Sequence, residues 1–254
     1  MRQTVRAKMH CLIDQAGRIL SVIHDRIVAC ERCSRLRSYC EHIGREKRKA
    51  YQDDTYWARP VPGFGDPHAR LLIVGLAPAA HGANRTGRVF TGDGVGGSGD
   101  FLMSALHRAG FANRGRSERS NDGLSLRDAY ITMAVRCAPP DNKPTPQEIR
   151  NCLVHLDAEM EALERVRVVL ALGKVGFDSY LLWLKGRGHL TGPRPQFGHG
   201  LVYQLTNSQT LIGCYHPSRQ NTQTGKLTRR MMYSVLLKAR EQLEQAGRRR
   251  LADQ

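Results

Sequence analysis

The sequence lacks several features that would assign it to large classes of protein. No apolar stretch approaches the ~18 residues that a membrane-spanning helix needs. The N-terminal stretch MRQTVRAKMHCLID lacks the apolar core of a secretory signal. There is also no G-x4-G-K-S/T motif, which counts against a nucleotide-dependent enzyme with a phosphate-binding loop. We therefore expect a soluble, cytoplasmic protein without a membrane partner.

Acidic residues are scarce relative to basic ones. The chain of 254 residues has 23 Asp and Glu against 39 Lys and Arg, which gives a net charge of +16. The excess is spread over the whole chain, with dense clusters at 45–49, 114–119 and 248–250. A positive field attracts polyanions and speeds their capture. The charge therefore favours a nucleic-acid partner over a merely basic protein.

The number of cysteines is odd. Seven cysteines in a reducing compartment do not indicate a disulfide framework. Four of them have the spacing of metal ligands, as a C-x2-C pair and a C-x14-C pair: Cys30, Cys33, Cys137 and Cys152. Four thiolates suit zinc or an iron–sulfur cluster, and spacing alone does not separate these two. The alternative is buried, inert thiols. Cys40 competes as a ligand, while Cys11 and Cys214 have no partner by spacing.

Apolar runs alternate with helical patterns along the chain. Four runs are typical of buried strands: RLLIVGLAP, DAYITMAVRC, VRVVLALG and TLIGCYHPS. Helical patterns lie between and after them, and one begins with a capping box formed by Thr145 and Glu148. This alternation predicts an α/β fold, a three-layer α/β/α sandwich around a mostly parallel sheet of about four strands.

We expect a single domain over residues 1–254, with 1–20 and 247–254 poorly ordered. Residues 1–20 have an irregular pattern, and 20–51 are compatible with helix. The segment YWARPVPGFGDPHA is rich in proline and glycine, which predicts irregular structure.

Three segments without core character follow predicted strands: VGLAPAAHGANRTGRVFTGD, the segment after Cys137 and the loop after Tyr215. In open sheets of this kind, ligands bind beyond the carboxyl ends of the strands. The three segments are therefore expected to converge on one mouth.

The motifs resemble those of the family 5 uracil-DNA glycosylases, the UdgB type, within the uracil-DNA glycosylase superfamily. The resemblance rests on GLAPAAHGANRTGRVFTGD, VRCAPPDNKPTP and YHPSRQNTQTGKLT, in family order, together with the four-cysteine set. It implies a monofunctional DNA glycosylase of base excision repair. Such an enzyme flips uracil out of double-stranded DNA, hydrolyses its N-glycosidic bond and leaves an abasic site.

The resemblance also implies a cofactor, further substrates and a location. Its four cysteines hold a structural 4Fe-4S cluster, with zinc as the alternative occupant. Hypoxanthine, etheno-cytosine and mismatched thymine are further possible bases. We expect a monomer that acts on double-stranded DNA containing damaged bases and associates with the nucleoid. A non-catalytic DNA-binding protein on the same scaffold and a zinc-bound structural module are the rival interpretations.

Three residues are predicted to carry the chemistry. Asp93 would stabilise the cationic sugar or orient water; the alternative is a helix N-cap, for which Asp100 is better placed. His216 would donate to a uracil carbonyl, and the alternative is a structural histidine in a turn. Asn142 would bind the uracil edge with its amide, and the alternative is a turn asparagine.

Other residues are expected to bind the substrate. Phe90 would stack on the flipped base, with a core phenylalanine as the alternative. Arg219 could fill the hole left by the base. The first loop and the DNA-facing rim would supply the remaining contacts: Gly75, Leu76, Ala77, Asn84, Ser218 and Arg219. Asn84 could also support the shape of its loop, and no role is assigned to His81.

The first loop departs from much of the superfamily. Many members carry an acid or amide there to activate water, whereas this chain has APAAHG. Water activation must then rest on Asp93 or proceed without a strong base. A less polar pocket would also admit bases other than uracil.

Overall fold

A six-stranded sheet lies at the centre of the protein, for which the computed structural model describes the backbone of residues 2–252 and the side chains of residues 15–248. The four predicted apolar runs form its parallel part: β2 (Leu71–Gly75), β3 (Ala129–Met133), β4 (Val168–Leu172) and β6 (Thr210–Cys214). Two antiparallel strands complete the edges: β1 (Phe64–Gly65) and β5 (Val202–Gln204). The order across the sheet is β1-β3-β2-β4-β6-β5.

The two edge strands were not predicted from the sequence. β1 lies inside the segment expected to be irregular, and that prediction is wrong for Phe64 and Gly65, which pair with Ile131 and Tyr130 of β3. A two-residue strand has no detectable period. β5 has three residues, none of them fully buried, so it lacks the continuous apolar run of the central strands. Both strands form because the sheet edge supplies the hydrogen-bonding partners.

Helices flank the sheet. In chain order they are α1 (Arg2–Val28), α2 (Ser34–Glu46), α3 (Ala83–Thr86), α4 (Ser98–Arg108), α5 (Pro146–Ala162), α6 (Gly173–Gly186), α7 (Arg219–Gln223) and α8 (Arg229–Ala252). The backbone from Arg2 to Leu20 is helical, so the expectation of irregular structure there is wrong. The order of the two termini stays a prediction, and the Cys11 side chain lies outside the described residues. None of the described helices has the length and hydrophobicity required to cross a bilayer.

Alternate residues of β2 divide the core between the two faces of the sheet. Leu71 and Ile73 pack with the apolar side chains of α4 and α8, whereas Leu72 and Val74 pack with those of α1, α5 and α6. All four side chains are fully buried, and burial of one such side chain contributes about 1.5–3 kcal/mol. The α/β/α fold class predicted from the sequence is therefore confirmed.

The predicted capping box at the start of α5 is also confirmed. The Glu148 N–H donates to Thr145 Oγ1 at 3.2 Å, and the Glu148 carboxylate accepts from the Thr145 N–H at 2.7 Å. Arg35 of α2 also donates to this carboxylate at 2.7 and 2.8 Å. The box therefore fixes the start of α5 and attaches α2 to it.

A buried ion pair connects the segment after β3 to α5. Arg136 Nη2 donates to Glu159 Oε2 at 2.6 Å, and the two side chains are 1% and 0% exposed. The same carboxylate accepts from Thr132 Oγ1 at 2.5 Å, Tyr130 Oη at 3.2 Å and the Gly63 N–H at 3.3 Å. Glu159 therefore joins β3, α5 and the approach to β1 at one point.

Replacing Glu159 by glutamine leaves the Arg136 charge buried without a counter-charge. We expect Glu159→Gln to lower the free energy of unfolding by about 3 kcal/mol. Urea unfolding followed by circular dichroism measures this change. The control is Asp178→Asn, which removes exposed ion pairs with Lys174 and Arg194 and is expected to cost less than about 1 kcal/mol. Equal losses in the two variants would contradict the role given to Glu159.

Candidate active site

A cavity of about 700 Å³ lies where β2, β3 and β6 end. The first loop, the segment after Cys137 and the loop after Tyr215 all contribute to its wall. The three segments therefore converge on one mouth, as the sequence predicts. Eight of the predicted site residues line this cavity: Leu76, Ala77, Phe90, Asp93, Asn142, His216, Ser218 and Arg219.

Asp93 lies in a nest of glycine backbone. Its Oδ2 accepts from the Gly99 N–H at 3.2 Å, and Arg219 Nη2 donates to its backbone carbonyl at 3.0 Å. A Cβ added at Gly82 would lie 1.8 Å from Asp93 Oδ1, and one at Gly97 would lie 2.4 Å from Asp93 Cβ. Only glycine allows backbone to approach the carboxyl group so closely.

The surroundings of Asp93 act on its charge in opposite directions. Burial raises the pKa of the carboxyl group above its ordinary value, while the Gly99 N–H and the nearby Arg219 and Arg85 oppose that rise. A carboxylate with a raised pKa is a stronger base than a solvated one. Asp93 therefore combines a half-buried position on the cavity wall with enhanced basicity.

The capping role expected of Asp100 belongs to Asp93 in the structure. α4 begins at Ser98, and it is Asp93 that accepts an N–H from its first turn. Asp100 instead accepts the Gly96 N–H at 3.2 Å. Asp93 is thus attached to the start of a helix, which fixes its position on the wall.

His216 lies on the cavity wall in the loop after Tyr215, two residues after the end of β6. Asn221 Nδ2 donates to its backbone carbonyl at 2.9 Å, and its ring lies 6.1 Å from that of Phe90, centroid to centroid, at an angle of 32°. Burial lowers the pKa of His216 from 6.5 to about 4. The imidazole is therefore neutral at neutral pH and offers one N–H as a donor.

Two of the predicted site residues on the wall have a left-handed backbone. Phe90 has a φ of +50° and Asn142 a φ of +56°. Such values are uncommon for residues other than glycine, although asparagine tolerates them. The Phe90 ring covers Gly75, where an added Cβ would lie 3.0 Å from Phe90 Cε2. The surrounding structure therefore constrains both side chains at the wall.

Two predicted substrate contacts do not lie on the wall. Gly75 is beneath the Phe90 ring. Asn84 is fully buried, and its Nδ2 lies 3.3 Å from the Cys40 carbonyl and 3.4 Å from the Ala80 carbonyl. The position of Asn84 matches the alternative given for it, support of the first loop.

The cavity wall also includes residues that the sequence analysis missed. Tyr39, Arg48 and Tyr51 come from the segment around α2, and His81, which had no assigned role, comes from the first loop. Tyr56 Oη lies 3.0 Å from His81 Nδ1 and fixes the orientation of that ring. The signal in the sequence was two tyrosines interleaved with basic residues, a pattern typical of nucleic-acid contacts.

Five cysteines gather beside the cavity. Cys33 is the N-cap residue of α2, whereas Cys40, Cys137 and Cys152 are buried, and Cys40 Sγ donates to the Ala138 carbonyl at 3.7 Å. Burial, together with the neighbouring Cys33 and Cys30, raises the pKa of Cys152 to about 11.

In donor type and neighbourhood, these thiols fit a metal or cluster. Within the part of the chain that the structure describes, however, no three His, Cys, Asp or Glu residues form a closed ligand set. The occupant and its ligands stay predictions.

The depressed pKa of His216 has a measurable consequence. Between pH 6.5 and about 4, His216 is protonated in the unfolded chain but neutral in the folded protein. This difference lowers the free energy of unfolding as the pH falls through that range. We expect nitrogen-15 spectra of its imidazole to show the neutral form down to about pH 5. His216→Gln identifies the signal. A midpoint near 6.5 would contradict the buried, neutral state.

A family model, the uracil DNA glycosylase superfamily, matches residues 62–240. A type-5 uracil-DNA glycosylase of Thermus thermophilus is 48% identical over 216 residues, which cover 84% of this chain and 94% of that protein. One from Mycobacterium tuberculosis is 48% identical over 216 residues, 85% of this chain and 78% of the relative. A type-4 uracil-DNA glycosylase of Archaeoglobus fulgidus is 33% identical over 162 residues, 62% of this chain and 70% of the relative. With three motif segments around one cavity and this similarity over most of its length, the chain belongs to the uracil-DNA glycosylase superfamily, in its type-5 group.

Proposed function

We propose that this protein is a monofunctional uracil-DNA glycosylase of base excision repair that acts on double-stranded DNA as a monomer. The observation that carries the proposal is the cavity of about 700 Å³ whose wall brings together Asp93, Asn142 and His216 from three separate segments. Its volume is in the range of small-molecule sites. The type-5 relatives, which bear the same enzymatic name, support it.

The substrate must leave the helix before it can enter such a cavity. The sugar–base bond is shielded inside the duplex, and extruding a base costs a few kcal/mol. Uracil in a mispair is held less tightly and is cheaper to extrude. The net charge of +16 attracts the phosphate backbone and supplies binding free energy toward this distortion.

Cleavage of the N-glycosidic bond builds positive charge on the sugar and negative charge on the departing base. Asp93 supplies a fixed anion for the sugar, and its raised pKa also makes it the better base toward an attacking water. Its attachment to the Gly99 N–H and to the glycine nest holds the carboxylate in place before the substrate arrives. No reorganisation of the carboxylate is then needed during the reaction.

His216 and Asn142 act on the base. A neutral His216 donates one N–H to the uracil carbonyl that gains charge, and it does so without a competing proton equilibrium near pH 7. Asn142 offers a donor and an acceptor to the base edge. Both side chains line the cavity, and Asn142 is held there by a left-handed backbone.

The rest of the wall binds and orients the base. The Phe90 ring provides an aromatic face on which a base can stack, an interaction of about 1–3 kcal/mol. Leu76 and Ala77 present apolar side chains on the same wall. Ser218 and Arg219 lie at the rim, where a hydroxyl and a guanidinium suit a phosphate of the DNA strand.

The small apolar residues of the first loop broaden the range of bases. Ala77, Ala79 and Ala80 all line the cavity, where an acid or amide would otherwise impose a fixed hydrogen-bonding pattern. Hypoxanthine, etheno-cytosine and mismatched thymine are therefore proposed as further substrates. We place the enzyme in the cytoplasm, at the nucleoid.

We assign a structural 4Fe-4S cluster to Cys30, Cys33, Cys137 and Cys152, with zinc as the alternative occupant. The cluster would act as a cross-link, since thiolate bonds would connect the segment before α2, the segment after β3 and α5. Cys137 lies five residues before Asn142, so the link would hold the base of the Asn142 segment. The buried Cys40 beside Cys137 is the competing ligand.

The activity is tested on a labelled duplex containing a single uracil. We expect the purified protein to remove uracil without an added cofactor and to leave a site that breaks in hot alkali. Denaturing gels measure the product. A strand that stays intact after alkali would favour the non-catalytic DNA-binding interpretation.

The assigned roles are tested by Asp93→Asn and His216→Ala. We expect each variant to lower the single-turnover rate at least about 100-fold, because each removes a group that acts only on developing charge. DNA affinity should stay similar. Asp178→Asn and His107→Ala are matched controls, since neither residue lines the cavity. Near-native rates in both active-site variants would show that the roles are wrong.

The cofactor is tested on anaerobically purified protein. We expect about four iron and four sulfide per chain and a visible absorption band, all lost in Cys137→Ala and Cys152→Ala. Cys214→Ala is the control, because Cys214 lies in the core at the end of β6. Stoichiometric zinc without sulfide would identify the alternative occupant. Loss of iron in Cys40→Ala but not in Cys30→Ala would show that Cys40, and not Cys30, is the fourth ligand.

A further inference from the structure

Arg85 connects the two backbone segments that enclose the Asp93 carboxyl group. It lies in α3, and its Nε donates to the His81 carbonyl at 2.9 Å, while its Nη2 donates to the Gly92 carbonyl at 2.8 Å. The residue after His81 is Gly82, where an added Cβ would lie 1.8 Å from Asp93 Oδ1. The residue after Gly92 is Asp93 itself. One guanidinium therefore ties the backbone on both sides of the carboxyl group together.

The guanidinium of Arg85 is itself fixed on its remaining sides. Its Nη1 donates to the Asp54 carboxylate, and its central carbon lies 3.9 Å from the centroid of the Tyr51 ring. The Arg85 side chain is only 12% exposed. The planar fork of arginine donates in several fixed directions at once, whereas the ammonium of lysine is a compact point charge. These contacts therefore require the shape of arginine as well as its positive charge.

Arg85 lies behind the cavity wall. Both segments that it binds contribute to the wall, whereas Arg85 does not. It therefore reaches a substrate only through the residues that it holds. Its charge acts on the site as well: burial raises the pKa of Asp93, and the Gly99 N–H, Arg219 and Arg85 all oppose that rise.

We propose that Arg85 is a positioning residue that holds the Asp93 carboxylate in its reactive orientation by fixing the two glycine-containing segments around it. The proposal rests on the proposed function. A displacement of about 1 Å at a reacting group can cost about 100-fold in rate, so a contact behind the wall matters to the chemistry. Arg85 contributes in a second way, because a nearby cation favours the ionised form of Asp93 that either proposed role requires.

The charge of Arg85 predicts a shift in the pH–rate profile. The rate is expected to fall as the pH drops below the pKa of Asp93, because the protonated carboxyl group is neither an anion nor a base. Removing the cation raises that pKa, so this acid limb of the profile moves to higher pH. Besides Arg219, the other titratable side chains on the wall are the same in every Arg85 variant, so the comparison isolates Arg85: Tyr39, Arg48, Tyr51, His81, Asp141 and His216.

Two variants separate the shape of Arg85 from its charge. Arg85→Gln removes both, and Arg85→Lys removes only the fork. On duplex uracil at about pH 8, we expect single-turnover rates about 10- to 100-fold lower in both variants, with similar DNA affinity. The acid limb should move to higher pH in Arg85→Gln and stay in place in Arg85→Lys. The control is Arg88→Gln, which removes another buried arginine of the first loop, one paired with Asp122. It should lower the melting temperature without moving the limb.

The carbon-13 signal of the Asp93 carboxyl group, assigned with Asp93→Asn, measures the same pKa without turnover. A rate in Arg85→Lys equal to that of the unmodified protein would overturn the positioning role, and this variant decides if Arg85→Gln does not fold. Losses of rate and melting temperature in Arg85→Gln with an unmoved Asp93 pKa would make Arg85 a structural residue only and overturn the proposal. Absence of uracil release by the unmodified protein would instead refute the proposed function, while the Asp93 titration would still test the Arg85 contact.

Discussion

The close approach of glycine backbone to one carboxyl group is the constraint on which the site depends. Asp93 Oδ1 lies against Gly82, its Oδ2 accepts the Gly99 N–H, and its Cβ packs on Gly97. A Cβ at Gly82 would lie 1.8 Å from Asp93 Oδ1, far inside van der Waals contact. The glycines of the first loop and of the turn before α4 therefore allow the backbone to enclose the Asp93 carboxyl group on the cavity wall.

The sheet turns that local nest into a site. β2, β3 and β6 run parallel and end at the same edge, so the segments that follow them meet although they are far apart in sequence. The buried pair of Arg136 and Glu159 fixes the segment after β3 against α5. That segment continues through Cys137 to Asn142, so the stability of the core and the position of the amide proposed to bind substrate depend on the same contacts.

Charge is divided between the outside and the cavity. The protein carries +16 overall, which suits a polyanion, whereas the proposed catalytic side chains Asp93 and His216 lie partly buried on the cavity wall. Burial lowers the pKa of His216 to about 4, so its imidazole is neutral at neutral pH, and it raises the pKa of Asp93, the group proposed to act as an anion. The basic surface suits the DNA backbone, and the partly buried wall is proposed to receive the base.

The sequence by itself determined the four central strands, the capping box of α5 and the family motifs, because each is encoded in a local pattern of residues. The motifs also predicted eight residues of the cavity wall, whereas only the tertiary structure decided the rest of that wall. It added His81 and the tyrosines of the segment around α2, and it moved Asn84 from the wall to a support beneath the loop. It also showed that Asp93, rather than Asp100, accepts the N–H from α4. These details depend on contacts between side chains of distant segments, and a local pattern of residues does not encode such contacts.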